Sequence, residues 1–333
     1  MIPIDFPDLK GDLAWRSRVD EQMQLLSEYF FSVSEGRFKV EWVIADNWVT
    51  LPNNSSDYNV DKSLNLKDSP NGQKLFQDAM KSADPFFDFT NIQTVNFLLP
   101  KGQNVVNEGS QGFPWDEAVK NIVTNEGKIA SYSIAGKFME SIGKDYWSYW
   151  AHEFGHAIGL PHIGPSRGEL PPFNPWDIMG GQDGPSKELS GWLRFFAGWI
   201  SDNKVYCKSI NNLKNMEMTL IPLSSEDSGI KFIIIPVSEF KAVLIESRRV
   251  NKFSEKTPTS RDGTLVYLLD LTLGHGENFL VPVAPSERPK EQDIYKNSYS
   301  SDVLLHENDT VNVYGLTIKL AQSLNYDHII ISK

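Results

Sequence analysis

A chain of 333 residues with 40% hydrophobic content can bury a sizeable core and allows one large domain or two ordinary ones. Its net charge of −11 makes nucleic acid and anionic membrane poor partners, and no apolar run reaches the ~18 residues of a transmembrane helix. The single cysteine, Cys207, excludes an internal disulfide and reads as a small buried hydrophobe.

The opening Met1-Ile2-Pro3-Ile4-Asp5-Phe6-Pro7-Asp8 lacks the basic start and apolar stretch of a signal peptide. Residues 2–8 read as the end of a strand entering a loop. Residues 12–36 predict a long amphipathic helix, with Met23, Leu26, Tyr29 and Phe30 at helical spacing and Gly36 as its cap. Residues 38–51 alternate well enough for a strand or hairpin, with Val40, Trp42 and Ile44 on one side. A polar loop over 53–72 follows, then a short helix over 74–82. A buried strand is expected over 92–99 and another over 128–136.

Next comes His152-Glu153-Phe154-Gly155-His156-Ala157-Ile158-Gly159-Leu160-Pro161-His162, the pattern H-E-x-x-H-x-x-G-x-x-H. On a helix over 145–160, His152 and His156 leave the same face one turn apart and can bind one ion. Glu153 is rotated about 100° from His152, outside the ligand set but within reach of a water on the metal. Gly159 permits the chain reversal that returns His162 as a third nitrogen ligand. Three protein nitrogens with an open position are the arrangement of a catalytic Zn2+ site. Further on, Pro175-Trp176-Asp177-Ile178-Met179-Gly180-Gly181 reads as a Met-containing turn, on its own an ordinary one. Tyr146, Trp147, Tyr149 and Trp150 read as packing residues that fix the helix.

Residues 186–200 predict a further helix that closes a first domain near residue 202. Beyond it the texture changes to short apolar runs between turns. Strands are expected at 216–222, 229–236, 241–248, 263–269, 310–313, 316–321 and 328–331, which suggests an antiparallel sandwich. Glu246 and Arg248 read as a buried ion pair bracing this second domain. His275, His306 and His328 are isolated and read as surface or packing residues.

The zinc pattern followed by a Met turn resembles the metzincin metallopeptidases, and the resemblance implies that Met179 is a soft floor under the ligands. Over most of the chain the similarity is closest to the immune inhibitor A family of secreted bacterial metallopeptidases. Matching pieces are Asp5-Phe6-Pro7-Asp8, Glu28-Tyr29-Phe30-Phe31-Ser32-Val33-Ser34-Glu35-Gly36, Trp48-Val49-Thr50-Leu51-Pro52, Gly198-Trp199-Ile200 and Val243-Leu244-Ile245-Glu246-Ser247-Arg248. The resemblance implies an α+β fold. A metzincin-like catalytic domain over 1–202, a mixed sheet with helices, would precede a β-sandwich-like domain over 203–333. It implies Zn2+ on His152, His156 and His162, Glu153 as general base, and a protein or peptide substrate. It also implies a secreted or extracellular setting, and makes Ca2+ a further candidate cofactor, although no D-x-[DN]-x-[DN]-G loop occurs. The strand over 128–136 would be the sheet edge that pairs with an extended substrate. Two departures stand out. Many members of the family carry Asp where His162 stands, and some metzincins place a Tyr two residues after the Met, where this chain has Gly181. Two other readings stay open: a non-catalytic glycan- or protein-binding protein on the same scaffold, and an amidase acting on a non-protein amide.

Overall fold

The structure is a computed structural model. It describes the chain except residues 13–14, 60–68, 108, 117–118, 138–145, 166–171, 183, 185, 255–261 and 287–302. By packing, the chain divides into two compact units: residues 1–28 with 40–159, and residues 29–39 with 160–333. The later divide falls at Gly159, which groups His162 and the Met turn with the β-rich half.

The first unit is built on five strands: β1 (Ile2–Asp5), β2 (Val49–Thr50), β3 (Thr94–Leu98), β4 (Ser110–Gly112) and β5 (Ser131–Ile134). Their spatial order is β2-β1-β3-β5-β4. Neighbours run parallel, except that β4 pairs antiparallel with β5. Ile2, Ile4, Val95, Phe97, Tyr132 and Ile134 are buried in one core, as the short apolar strands of a covered sheet require. Strand β5 is paired on both sides, by β3 and β4, which corrects the expectation that it forms a sheet edge; among the described residues the outermost strands are β2 and β4. The hairpin expected over 38–51 contracts to Val49–Thr50. Val40 and Ile44 are buried as the alternation suggests. The backbone around them bonds outside a strand ladder: the Ser27 hydroxyl donates to the Val40 carbonyl at 2.9 Å, an Arg16 guanidinium N–H to the Ile44 carbonyl at 3.3 Å, and the Ala45 N–H to the Met1 carbonyl at 3.0 Å.

Among the described residues the α-helices are α1 (Trp15–Val33), α2 (Pro70–Ala83), α3 (Tyr146–Ala157) and α4 (Gly191–Phe196). Helix α2 starts earlier than its apolar pattern predicts, because Ser69 accepts the Gly72 N–H and Pro70 suits the first helical position. Helix α4 is much shorter than the 186–200 expected. Residues before it are drawn into the Met turn, where the Ile178 N–H donates to the Glu188 carbonyl at 3.0 Å. Ser190 then caps it, and Gly198, at φ 73°, ends the run. Among the described residues no helix is long and apolar enough to cross a membrane.

The second unit carries β6 (Val205–Cys207), β7 (Met216–Leu220), β8 (Phe232–Pro236), β9 (Lys241–Arg248), β10 (Gly263–Asp270), β11 (Leu280–Pro282), β12 (Thr310–Val313), β13 (Leu316–Ser323) and β14 (Asp327–Ser332). They form two sheets, β11-β10-β9-β8-β6 and β12-β13-β14-β7. Every pairing is antiparallel except β6 with β8. Side chains of both sheets share one core, including Ile233, Val243, Ile245 and Val266 from the first and Leu316, Ile318, Ile329 and Ile331 from the second. Strands β6 and β11 were not foreseen, since three residues are too few to establish a period. Cys207 ends β6 at the outside of its sheet and is exposed, which corrects the buried reading.

Candidate metal centre

In the first unit, α3 brings together what the pattern promised. Trp147, Ser148, Tyr149, Trp150, Ala151, His152 and Gly155 are buried, so the helix is anchored by its own apolar faces. Its first turn is steadied by the Gln22 amide oxygen, which accepts the Trp147 N–H at 2.9 Å. One turn apart, the Nε2 atoms of His152 and His156 face each other at 3.1 Å, with ring planes at 88°. With metal–nitrogen bonds of about 2.0–2.1 Å, a single Zn2+ between them would subtend an angle of about 100°, close to tetrahedral. The pair therefore fits two ligands of one zinc ion. His156 also lies in the last turn of α3, where the helix dipole favours positive charge.

Glu153 is half-buried beside this pair. The Tyr149 hydroxyl, one turn before it, donates to the Ile134 carbonyl at 2.9 Å and shares that proton with the nearby Glu153 carboxyl. Burial, and then the Glu153 charge, hold the Tyr149 phenol well above its ordinary range. Gly109 makes room for that hydroxyl: a Cβ there would come within 2.0 Å of it. Tyr149 is thus more than the packing residue read from the sequence, and its i, i+4 spacing to Glu153 was the available signal. Gly159 follows α3 at φ 95°, the left-handed conformation that the reversal requires.

His162 belongs to the second unit. Its Nδ1 hydrogen-bonds with the Gly164 carbonyl at 2.8 Å, so Nδ1 carries the proton and Nε2 the lone pair, the tautomer of a metal-binding histidine. Burial lowers its pKa below the ordinary imidazole value, and the nearby His275 adds to this. The His162 N–H donates to Nδ1 of His275 at 3.1 Å, which corrects the reading of His275 as isolated. Among the described residues, no three His, Cys, Asp or Glu side chains are gathered closely enough to hold an ion.

The Met turn lies in the same unit, with Met179 fully buried. Asp177 organises it: Oδ1 accepts the Met179 N–H and Oδ2 the Ser190 N–H, both at 2.7 Å. Complete burial pushes the Asp177 carboxyl up to about 6, against the pull of these bonds and of Arg248. Asn174 donates to the Gly180 carbonyl at 2.8 Å, and a Cβ at Gly181 would meet its amide at 2.0 Å. No side chain, Tyr included, fits at position 181 without displacing Asn174. Beyond the turn, Glu246 is fully buried and accepts from the Gly191 N–H and the Tyr267 hydroxyl, each at 2.6 Å. It also pairs with buried Arg248 at 2.5 Å, the ion pair expected from the sequence.

No family model and no curated protein matches this chain.

Proposed function

We propose that the protein is a zinc-dependent endopeptidase of metzincin type, nearest to the immune inhibitor A family and acting outside the cell. The facing Nε2 atoms of His152 and His156, 3.1 Å apart with Glu153 on the adjoining helix position, carry this reading. A general base beside a two-histidine face has no purpose in a purely structural site. His162 supplies the third nitrogen through Nε2. The catalytic part takes in residues 1–202, so that the Met turn is included.

When bound, zinc supplies Lewis acidity, which makes water nucleophilic near neutral pH and polarises a carbonyl. Glu153 accepts the proton of the attacking water and delivers it to the leaving amine. Tyr149 holds the Glu153 carboxyl in place. The outer side of β4, which pairs with no strand among the described residues, offers N–H and C=O groups to which an extended peptide can add as a strand.

The test pairs metal content with cleavage of a denatured protein. About one zinc per chain and chelator-sensitive cleavage are expected, and Glu153→Gln should keep the zinc while losing at least ~100-fold in rate. A fully active Glu153→Gln variant refutes the assignment. A second reading, a binding protein on the same scaffold, is favoured by one observation: no three-residue ligand group among the described residues. Absence of zinc after refolding with excess metal would select it.

A further inference from the structure

The loop between β10 and β11 belongs, in sequence, to the sandwich. Yet within the second unit it takes up both backbone groups of His162. The Gly276 N–H donates to the His162 carbonyl at 2.9 Å, and the His162 N–H donates to Nδ1 of His275 at 3.1 Å. Next door, the Gly164 N–H donates to the Glu277 carbonyl at 2.8 Å, and Ile163 pairs with Glu277 as a parallel bridge. On its other side the segment is tied to the Met turn, the Ile163 N–H donating to the Met179 carbonyl at 3.0 Å. The loop braces itself as well. The Glu277 carboxylate accepts the Gly274 N–H at 2.8 Å, the Glu277 N–H donates to the Gly274 carbonyl at 3.0 Å, and Gly276 stands at φ 79°.

We infer that His275 is a positioning residue for the third metal ligand: its Nδ1 fixes the peptide plane of His162, and so the direction of the His162 ring. The inference rests on the peptidase reading above. Two features separate this role from its alternatives. Accepting at Nδ1 puts the ring proton of neutral His275 on Nε2, so that nitrogen has no lone pair to offer a metal. His275 does not compete with His162 for the ion. Second, His275 is exposed, so removing its ring opens no cavity in a core. What it contributes is orientation, the kind of outer-shell support on which metal affinity depends about 10–100-fold.

The experiment uses the full chain with His275→Ala and His275→Asn. Zinc affinity is measured by competition with a chromogenic chelator, and the melting temperature is measured on the metal-free protein. His275→Ala should weaken zinc binding about tenfold or more while the metal-free melting temperature stays at the wild-type value. His275→Asn, whose Oδ1 can accept the same N–H, should recover most of the affinity. Wild-type affinity in His275→Ala overturns the inference and leaves the peptidase reading standing. A metal-free melting temperature that falls in parallel with affinity, unrescued by Asn, also overturns it, since the role is then only structural. If the wild-type chain binds no zinc, the peptidase reading fails and the inference falls with it.

Discussion

The two units handle the same eleven-residue motif by different means. In the first, His152, Glu153 and His156 are set by the period of one helix, and their relation follows from local geometry. In the second, His162 and Met179 sit in irregular backbone: His162 is held from the distant β10–β11 loop, Met179 by Asp177 and Ile163. The His162–His275 bond spans 113 positions. A helix needs only its own apolar faces to hold a ligand pair, whereas a ligand in a loop needs a scaffold. That contrast explains why His162 folds with the β-rich half.

The largest effect should come from the helical pair. His156→Ala is expected to abolish zinc binding, whereas His162→Ala should leave a weak two-nitrogen site on α3. Isothermal titration with zinc would separate them, and equal loss in both would erase the contrast. Next is Glu246, whose carboxylate faces the start of α4, the Tyr267 hydroxyl and Arg248. Glu246→Ala leaves the buried guanidinium without its counter-charge and should cost about 3–5 kcal/mol in urea unfolding. A loss below about 1 kcal/mol would mean that this network does not hold the second unit together.

Asp177 gives a smaller, pH-dependent effect. Its folded-state pKa is raised to about 6 from 3.8, so between these values the folded chain binds more protons than the unfolded one. Its stabilising contribution is complete below about pH 4 and is lost as the pH rises through about 6. The change is on the order of 3 kcal/mol. Asp177→Asn starts less stable, having lost one acceptor for the Met179 or Ser190 N–H, but should lack this slope. Urea midpoints at pH 4, 5, 6 and 7 would reveal it. A variant with the wild-type slope would show that burial of Asp177 is not its source.

The same contrast decides what could be read in advance. Strand β9 and the long β13–β14 pairing were legible because apolar runs between turn residues have few other uses. The pairing of His152 with His156 was legible because helical spacing is local. The interior place of β5 was not, since which strand closes a sheet depends on Ser110–Gly112, three residues without an apolar pattern. Nor was the partnership of His275 with His162, which depends on how the β10–β11 loop returns. Asp177 was visible as a residue of the Met turn, but its two backbone acceptor bonds exist only once Ser190 is brought beside it.

Exposed Cys207 has a practical meaning for samples of this protein. One accessible thiol per chain makes the molecule monovalent toward oxidation. Air can join two chains at the outer edge of β6, but it cannot extend them into longer covalent assemblies. A band at twice the chain mass that vanishes with reductant would be chemistry at this site, while any larger assembly that forms must be held by other forces.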